Sequence, residues 1–242
     1  MLSFLVSFCG VVSLTSAASY DLPSYIERCS LSDPNLNECF KEKANLAIPF
    51  LAKGDKELGI PQAAPVTIPV APSYSSDFKF ILYDAYSESL RDLKVTKVLF
   101  DLKTGKVDLE ANLNSAVLTA KNYTILNGTI VGVKASGHGA FNMTLANLAV
   151  YFKADIRKFK KGGEDYFELA NSQVTSSVER GYYYFENLKS EEKDDMNAYI
   201  DENWKKFRLQ LKPTIESYLK TFIYYPINVI FNRVPINKMF LP

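Results

Sequence analysis

Histidine occurs once in 242 residues, tryptophan once and cysteine three times, and a formal charge of +1 leaves neither sign in excess. Each shortage closes off a class of function. A Ser-His-Asp or Cys-His device would have to run through His138, which sits between Gly137 and Gly139, and no G-x-S-x-G accompanies it. A residue beside a glycine-rich bend is the simpler reading of His138. H-E-x-x-H, C-x-x-C, an EF-hand loop, a Walker loop and G-x-G-x-x-G are all missing, so no motif asks for a metal, a nucleotide or any other cofactor. With 28 basic and 27 acidic side chains interspersed, nothing marks a surface for nucleic acid. Carboxylates are plentiful, so a carboxylate-based hydrolase is the enzymatic alternative that stays open.

Long apolar runs are also scarce. The stretch from Leu2 to Leu14 carries no charged side chain and leads into Thr15-Ser16-Ala17-Ala18-Ser19. It reads as a secretory signal peptide, residues 1–17, cleaved after Ala17 or Ala18, and is too short for a membrane span. Residues 18–242 contain no Gly/Ser-rich or Pro-rich linker, no low-complexity tract and no internal repeat, so one secreted, extracellular domain is expected. Cys9 leaves with the leader; Cys29 and Cys39 remain as an even pair in an oxidising route and read as a disulfide.

What is present is a long one-sided helix. Met196, Ile200, Trp204, Phe207, Leu211, Ile215, Tyr218 and Phe222 recur every three or four residues, which sets them on one stripe. Ser190 is the expected N-cap, with Glu191, Glu192, Asp194 and Asp195 matching the positive end of the helix dipole. Pro213 predicts a bend and Pro226 an end at Tyr225. A second, shorter helix is predicted from the Asp33-Pro34 start through Leu36, Phe40, Ala44 and Ala47, after a strand-like lead-in at Tyr25-Ile26. Pro61, Pro65, Pro69 and Pro72 then mark an extended stretch that is neither helix nor central strand.

From Asp77 to about Phe185 the period is two. Val107, Leu109, Ala111 and Leu113 alternate with polar residues, as do Phe141, Met143 and Leu145 before the parity slips and Leu148, Val150 and Phe152 continue. The slip predicts a β-bulge near Asn147. Turns expected at Thr104-Gly105, Asn127-Gly128 and Lys161-Gly162-Gly163 make the sheet an antiparallel meander of hairpins with one apolar face. The sequons at Asn122, Asn127 and Asn142 fall in this region, Asn142 on the polar side of its strand and Asn127 in its expected turn.

Two blocks carry a family resemblance. The first comprises Pro23-Ser-Tyr-Ile-Glu-Arg-Cys29, Asp33-Pro-Asn-Leu-Asn-Glu-Cys39, Pro49-Phe-Leu-Ala-Lys-Gly54 and Glu57-Leu-Gly-Ile-Pro61. The second comprises Phe185-Glu-Asn-Leu188, Asn203-Trp204, Lys212-Pro-Thr-Ile215 and Phe231-Asn-Arg-Val-Pro-Ile236. Over essentially the whole mature chain the sequence resembles the takeout / juvenile hormone-binding protein family of insects. That resemblance implies the Cys29–Cys39 disulfide and an α+β, TULIP-like fold, in which a strongly curved antiparallel sheet wraps a long C-terminal helix around an apolar tunnel. It also implies a carrier of a terpenoid hormone-like or fatty-acid-like lipid, with no catalysis and a receptor or membrane as the partner at delivery. The chain departs from the family pattern at Lys189-Ser-Glu-Glu-Lys-Asp-Asp195, where a Phe-Asn-Gly turn is common, so the closure of one tunnel end is its own.

On this reading the ligand lies against Trp204, Phe207 and Leu211, with Phe141 and Met143 on the facing wall and a few hydroxyls to orient a polar head group. The alternative is a secreted signalling module whose helix is buried in a solid core. The alternation around Asn142 yields a direct prediction: natively secreted protein loses mass on enzymatic N-deglycosylation, and an unchanged mass rules the modification out.

Overall fold

The computed structural model describes residues 20–73 and 75–242, so the expected signal peptide and Cys9 lie outside the described residues. Two very long strands form its spine, β4 (Lys106–Ile130) and β6 (His138–Lys161), paired antiparallel from Lys106↔Asp155 to Thr124↔His138. Because each spans 24 or 25 residues, its outer edge takes two shorter strands end to end. On β4 these are β3 (Lys94–Asp101) and β2 (Phe78–Ser87), with β1 (Val66–Pro72) beyond β2. On β6 they are β7 (Glu164–Ser177) and β8 (Arg180–Phe185). β5 (Val133–Lys134) closes a small hairpin with the end of β4. The sheet is therefore antiparallel, as expected, but not a simple meander: β2 and β3 pair with β4 rather than with each other. The proline-bearing stretch becomes β1, an edge strand, where a missing N–H is tolerated.

The parity slip is real but has a different cause from the one expected. Buried positions pass from Leu145 to Leu148 in β6 and from Leu113 to Ala116, half-buried, and Ala120 in β4, directly opposite. Through this point the β4–β6 register does not shift, so no extra residue is present, and Asn147 instead adopts φ 49°. Both strands turn over together, which concentrates the sheet's twist there and curls it. Asn147 Nδ2 donates to Glu179 at the gap between β7 and β8. True register shifts occur elsewhere, at Lys79/Phe80, Val95/Lys97, Ala120/Tyr123 and Lys153/Asp155.

Thr104-Gly105 and Lys161-Gly163 are the hairpin turns expected, whereas Asn127-Gly128 lies inside β4. The turn falls at Val131-Gly132, with φ 52° and 88°. Gly128 is opposite Phe78 with φ 100°, and a Cβ there would stand 2.1 Å from Asp77 O. The glycine permits close passage of two strands, which local turn propensity does not reveal.

The first helix, α1 (Leu36–Leu51), runs through Pro49 and is tied by the Cys29–Cys39 disulfide to a turn at Pro23–Ile26, not to a strand. The cap position is Asn35 rather than the expected Asp33, which instead accepts Asn35 N–H at 2.7 Å. At the C-terminus the expected single helix is two. Asp195, not Ser190, caps α2 (Met196–Glu202), accepting Ala198 N–H at 3.0 Å, and Asn203 interrupts it with φ −105° and ψ 21°. Then α3 (Trp204–Arg233) continues for 30 residues, about 45 Å. It passes through both Pro213 and Pro226, so the helix does not end at Tyr225. Burial of Leu219, Ile223 and Val229 on either side of Pro226 offsets the roughly 3 kcal/mol a helical proline costs. A short α4 (Ile236–Met239) completes the chain.

Side chains of the helices stitch them to the open sheet edges. Asn197 exchanges two 2.9 Å bonds with the Phe185 backbone; Glu216 accepts Ser176 N–H at 2.6 Å; Arg208 Nη2 donates to Ser176 O at 2.9 Å; Asn228 accepts Leu169 N–H at 3.1 Å. On the other side of the sheet, Asn45 exchanges two 2.8 Å bonds with Val95 and Asn37 accepts Phe100 N–H at 2.9 Å. These contacts cover strands that would otherwise offer free pairing edges. Gly128→Ala is expected to destabilise the protein by more than about 2 kcal/mol in urea unfolding, because it adds a backbone clash to an unfavourable φ. Gly132→Ala, where a Cβ meets nothing within 4 Å, should cost about 1 kcal/mol.

Candidate functional site

Because α3 packs most closely against β7 and β8, the concave face formed by β1, β2, β4 and β6 is left partly uncovered by backbone. The side chains that reach into this gap are of two kinds. At each end they are aromatic and fill it. Phe78, Phe80, Tyr123, Phe141, Tyr183, Phe185 and Phe207 form one interlocking cluster, with centroid separations from 4.6 to 6.4 Å. Phe40, Phe100, Phe167, Phe231 and Phe240 form the other, with separations from 4.9 to 6.4 Å. Most of these pairs are tilted or edge-on, the geometry ring quadrupoles favour.

Between the two clusters the walls are largely aliphatic and several positions are alanine, and there the packing opens. A cavity of about 140 Å³ lies between α3 residues Leu211, Ile215, Tyr218 and Leu219 and a sheet wall that includes Ala71, Leu82, Ala85, Phe141, Met143 and Leu145. A second, of about 410 Å³, lies further along α3 at Ile223, Pro226 and Ile227, faced by Ala44, Ile48 and Leu51 of α1 and by Ile60, Leu93 and Leu109. Neither cavity has a charged lining residue. The first includes hydroxyls, but most are committed to the backbone. Ser73 donates to Phe78 O (3.2 Å), Ser87 to Val117 O (2.7 Å) and Tyr218 to Pro72 O (3.2 Å), while Ser89 accepts Val117 N–H (2.8 Å). These bonds tie the hydroxyls of the lining to the backbone of the walls.

Of the residues placed against a ligand from sequence, Phe141, Met143 and Leu211 line the first cavity. Trp204 and Phe207 line neither. Phe207 is fully buried in the first aromatic cluster. Trp204 is half-buried, with the Arg180 guanidinium 5.0 Å from its ring centroid. Beside Phe207 the sheet supplies Phe78, Tyr183 and Phe185, whose rings occupy the space a ligand would need. In the segment Lys189–Asp195, Lys189 pairs with Ser136 and Glu192 accepts Lys134 N–H at 3.4 Å, while Met196 and Ile200 just beyond it are buried. The second cavity was missed because it requires α1, the loop around Leu90 and the stretch beyond Pro226 to meet; the helical spacing of Ala44, Ile48 and Leu51 was its one local sign.

Tyr183 and Arg208, the buried side chains with an unpartnered polar atom, line neither cavity. Tyr183 is buried, which pushes its phenol up to about 12 against the opposing charges of Arg208 and Arg180. Neither Tyr183 Oη nor Arg208 Nε has a hydrogen-bond partner, while Arg208 Nη2 is engaged at Ser176. Among the described residues no group of His, Cys, Asp and Glu could hold a metal ion, and no helix is long and apolar enough to cross a membrane. The side chains of Asn122, Asn127 and Asn142 are exposed, although Asn122 Oδ1 accepts Tyr123 N–H and Gly139 N–H, each at 2.8 Å.

A family model described as haemolymph juvenile hormone binding protein matches residues 5–241. Among solved structures, the crystal structure of Epiphyas postvittana Takeout 1 superposes with a TM-score of 0.77 at 22% identity, over 90% of this chain and 100% of that one, so the two share a fold. A crystal structure of lipopolysaccharide binding protein gives a TM-score of 0.41 at 9% identity, over 76% of this chain and 37% of that one. No curated protein sequence is a significant match.

The contrast between filled and open stretches of α3 is testable. Leu211→Trp should extend into the cavity of about 140 Å³ and leave ligand-free urea stability near wild type, while abolishing binding of a fluorescent fatty acid. Phe207→Ala, made within solid packing, should lose about 3–5 kcal/mol. A Leu211→Trp loss in the range of about 1–3 kcal/mol would instead mark Leu211 as ordinary core.

Proposed function

The chain belongs to the haemolymph juvenile hormone-binding protein family, and from that premise we propose that it is a secreted, extracellular carrier holding one small hydrophobic molecule between α3 and the curled sheet. The observation that carries this reading is a pair of adjoining apolar cavities, without a charged lining residue, between two aromatic clusters. Phe141, Met143 and Leu211 are the proposed contacts; Trp204 and Phe207 serve the fold. Residues 18–242 act as a single lipid-binding domain, and Asn127 and Asn142 are open to glycosylation on the outside.

Binding here needs no chemistry. Each methylene withdrawn from water contributes about 0.8 kcal/mol before association costs. The walls reject charge: an ionised carboxylate carried deep inside would meet no cation, and its desolvation would be uncompensated. The interior therefore suits a neutral lipophile, such as a terpenoid ester, or a fatty-acid-like lipid whose head group remains near solvent. Delivery would take place at a receptor or membrane.

Organic extraction of protein purified in its natively secreted form, followed by mass spectrometry, tests the reading. A lipophile at close to one equivalent is expected. Protein that is empty and also fails to bind an apolar dye would overturn the carrier reading in favour of a solid-core module.

A further inference from the structure

The two cavities share two lining residues, Phe222 from α3 and Leu90 from the 3₁₀ turn Ser89–Asp92. Along α3 the first cavity ends at Phe222, and the second begins at Thr221 and runs to Ile227. The cavities are thus successive compartments along one helix, and two half-buried apolar side chains stand where they meet. Both supports of this constriction are fixed. Ser89 Oγ accepts Val117 N–H at 2.8 Å, which pins the turn to β4, and α3 is held to β7 through Arg208, Glu216 and Asn228. The width of the passage is therefore set by the side chains of Phe222 and Leu90 rather than by backbone movement.

The volumes give this constriction a consequence. At about 140 Å³ the first compartment is near the size that admits a benzene-like group. It lies below the range of roughly 300–1,000 Å³ usual for small-molecule sites. The second, about 410 Å³, lies at the lower end of that range. An extended chain longer than one compartment needs the passage between them.

We propose that Phe222 and Leu90 form a divider that sets the longest apolar chain this protein accepts. The inference rests on the carrier reading and adds to it a specificity determinant. Short neutral lipids occupy one compartment with the divider closed. Longer ones gain nothing from their added methylenes, because the extra length has no apolar space to enter.

The test is a homologous series of saturated methyl esters, from about C8 to about C20, each displacing N-phenyl-1-naphthylamine from the full mature protein; affinity should rise roughly fourfold per methylene while space remains. In wild type the rise should stop at a defined length. In Phe222→Ala the rise should continue to longer esters, the readout being the length at which it stops rather than the affinity for any one ester. Leu90→Ala opens the same gap from the opposite wall, which frees the test from dependence on how well Phe222→Ala folds. If both variants level off at the wild-type length while wild type binds normally, the divider is wrong and the carrier reading stands. If no ester displaces the dye from wild type, and the dye itself does not bind, the carrier reading fails and the divider falls with it.

Discussion

The structure depends on the polar attachment of α3 to one edge of a curled sheet. Arg208, Glu216 and Asn228, together with Asn197 of α2, satisfy backbone groups of β7 and β8 that face away from β6. These hydrogen bonds have direction and length, so they fix the helix laterally in a way that apolar packing alone does not. Had α3 been free to slide into the middle of the concave face, burial of apolar area would have drawn it there. Held at the edge, it leaves β1, β2 and β4 facing space that only side chains can fill. The cavities follow from this offset.

Whether that space is filled is then a matter of local side-chain volume. Near Phe207 the facing strands supply Phe78, Phe185 and Tyr183, and near Phe231 they supply Phe100 and Phe167. Rings at both ends bury large areas and lock the helix to the sheet. Between them Ala71, Ala85 and Ala116 shorten the reach of the wall. An apolar void forgoes dispersion contacts on its lining. An occupant that fits restores those contacts and stabilises the folded state by mass action. The stable ends and the open middle are complementary, since the aromatic clusters supply packing that the middle of the molecule lacks.

The edge attachment also accounts for the awkward residues of the interior. Arg208 is buried, with Nη2 at Ser176 and the Glu216 carboxylate sharing the same serine hydroxyl, so its charge is answered through Ser176 rather than by direct pairing. Tyr183 lies alongside with its phenol unpartnered and its ionisation pushed up by burial. These groups belong to the seam between helix and sheet and not to the apolar interior, which keeps the cavity walls uncharged.

The sequence by itself determined which residues face inward, where strands and helices lie in outline, and that Cys29 and Cys39 would meet. These depend on period and composition, which are local. The apolar stripe through Leu211 and Phe222, the alternation through Phe141 and Met143, and the turns at Gly105 and Gly162-Gly163 were all legible for that reason. The start of the C-terminal helix at Asp195, its interruption at Asn203, its passage through Pro226 and the placement of Asn127-Gly128 within a strand were not. In each case tertiary packing or strand pairing overrode a local preference worth a few kcal/mol at most. The site itself divided along the same line. Phe207 and Leu211 are indistinguishable on a helical stripe, yet one is locked in a ring cluster and the other borders open space. Only the tertiary structure decided between them, because a cavity is defined by what the opposite wall fails to reach, and the opposite wall comes from strands that lie far away in the chain.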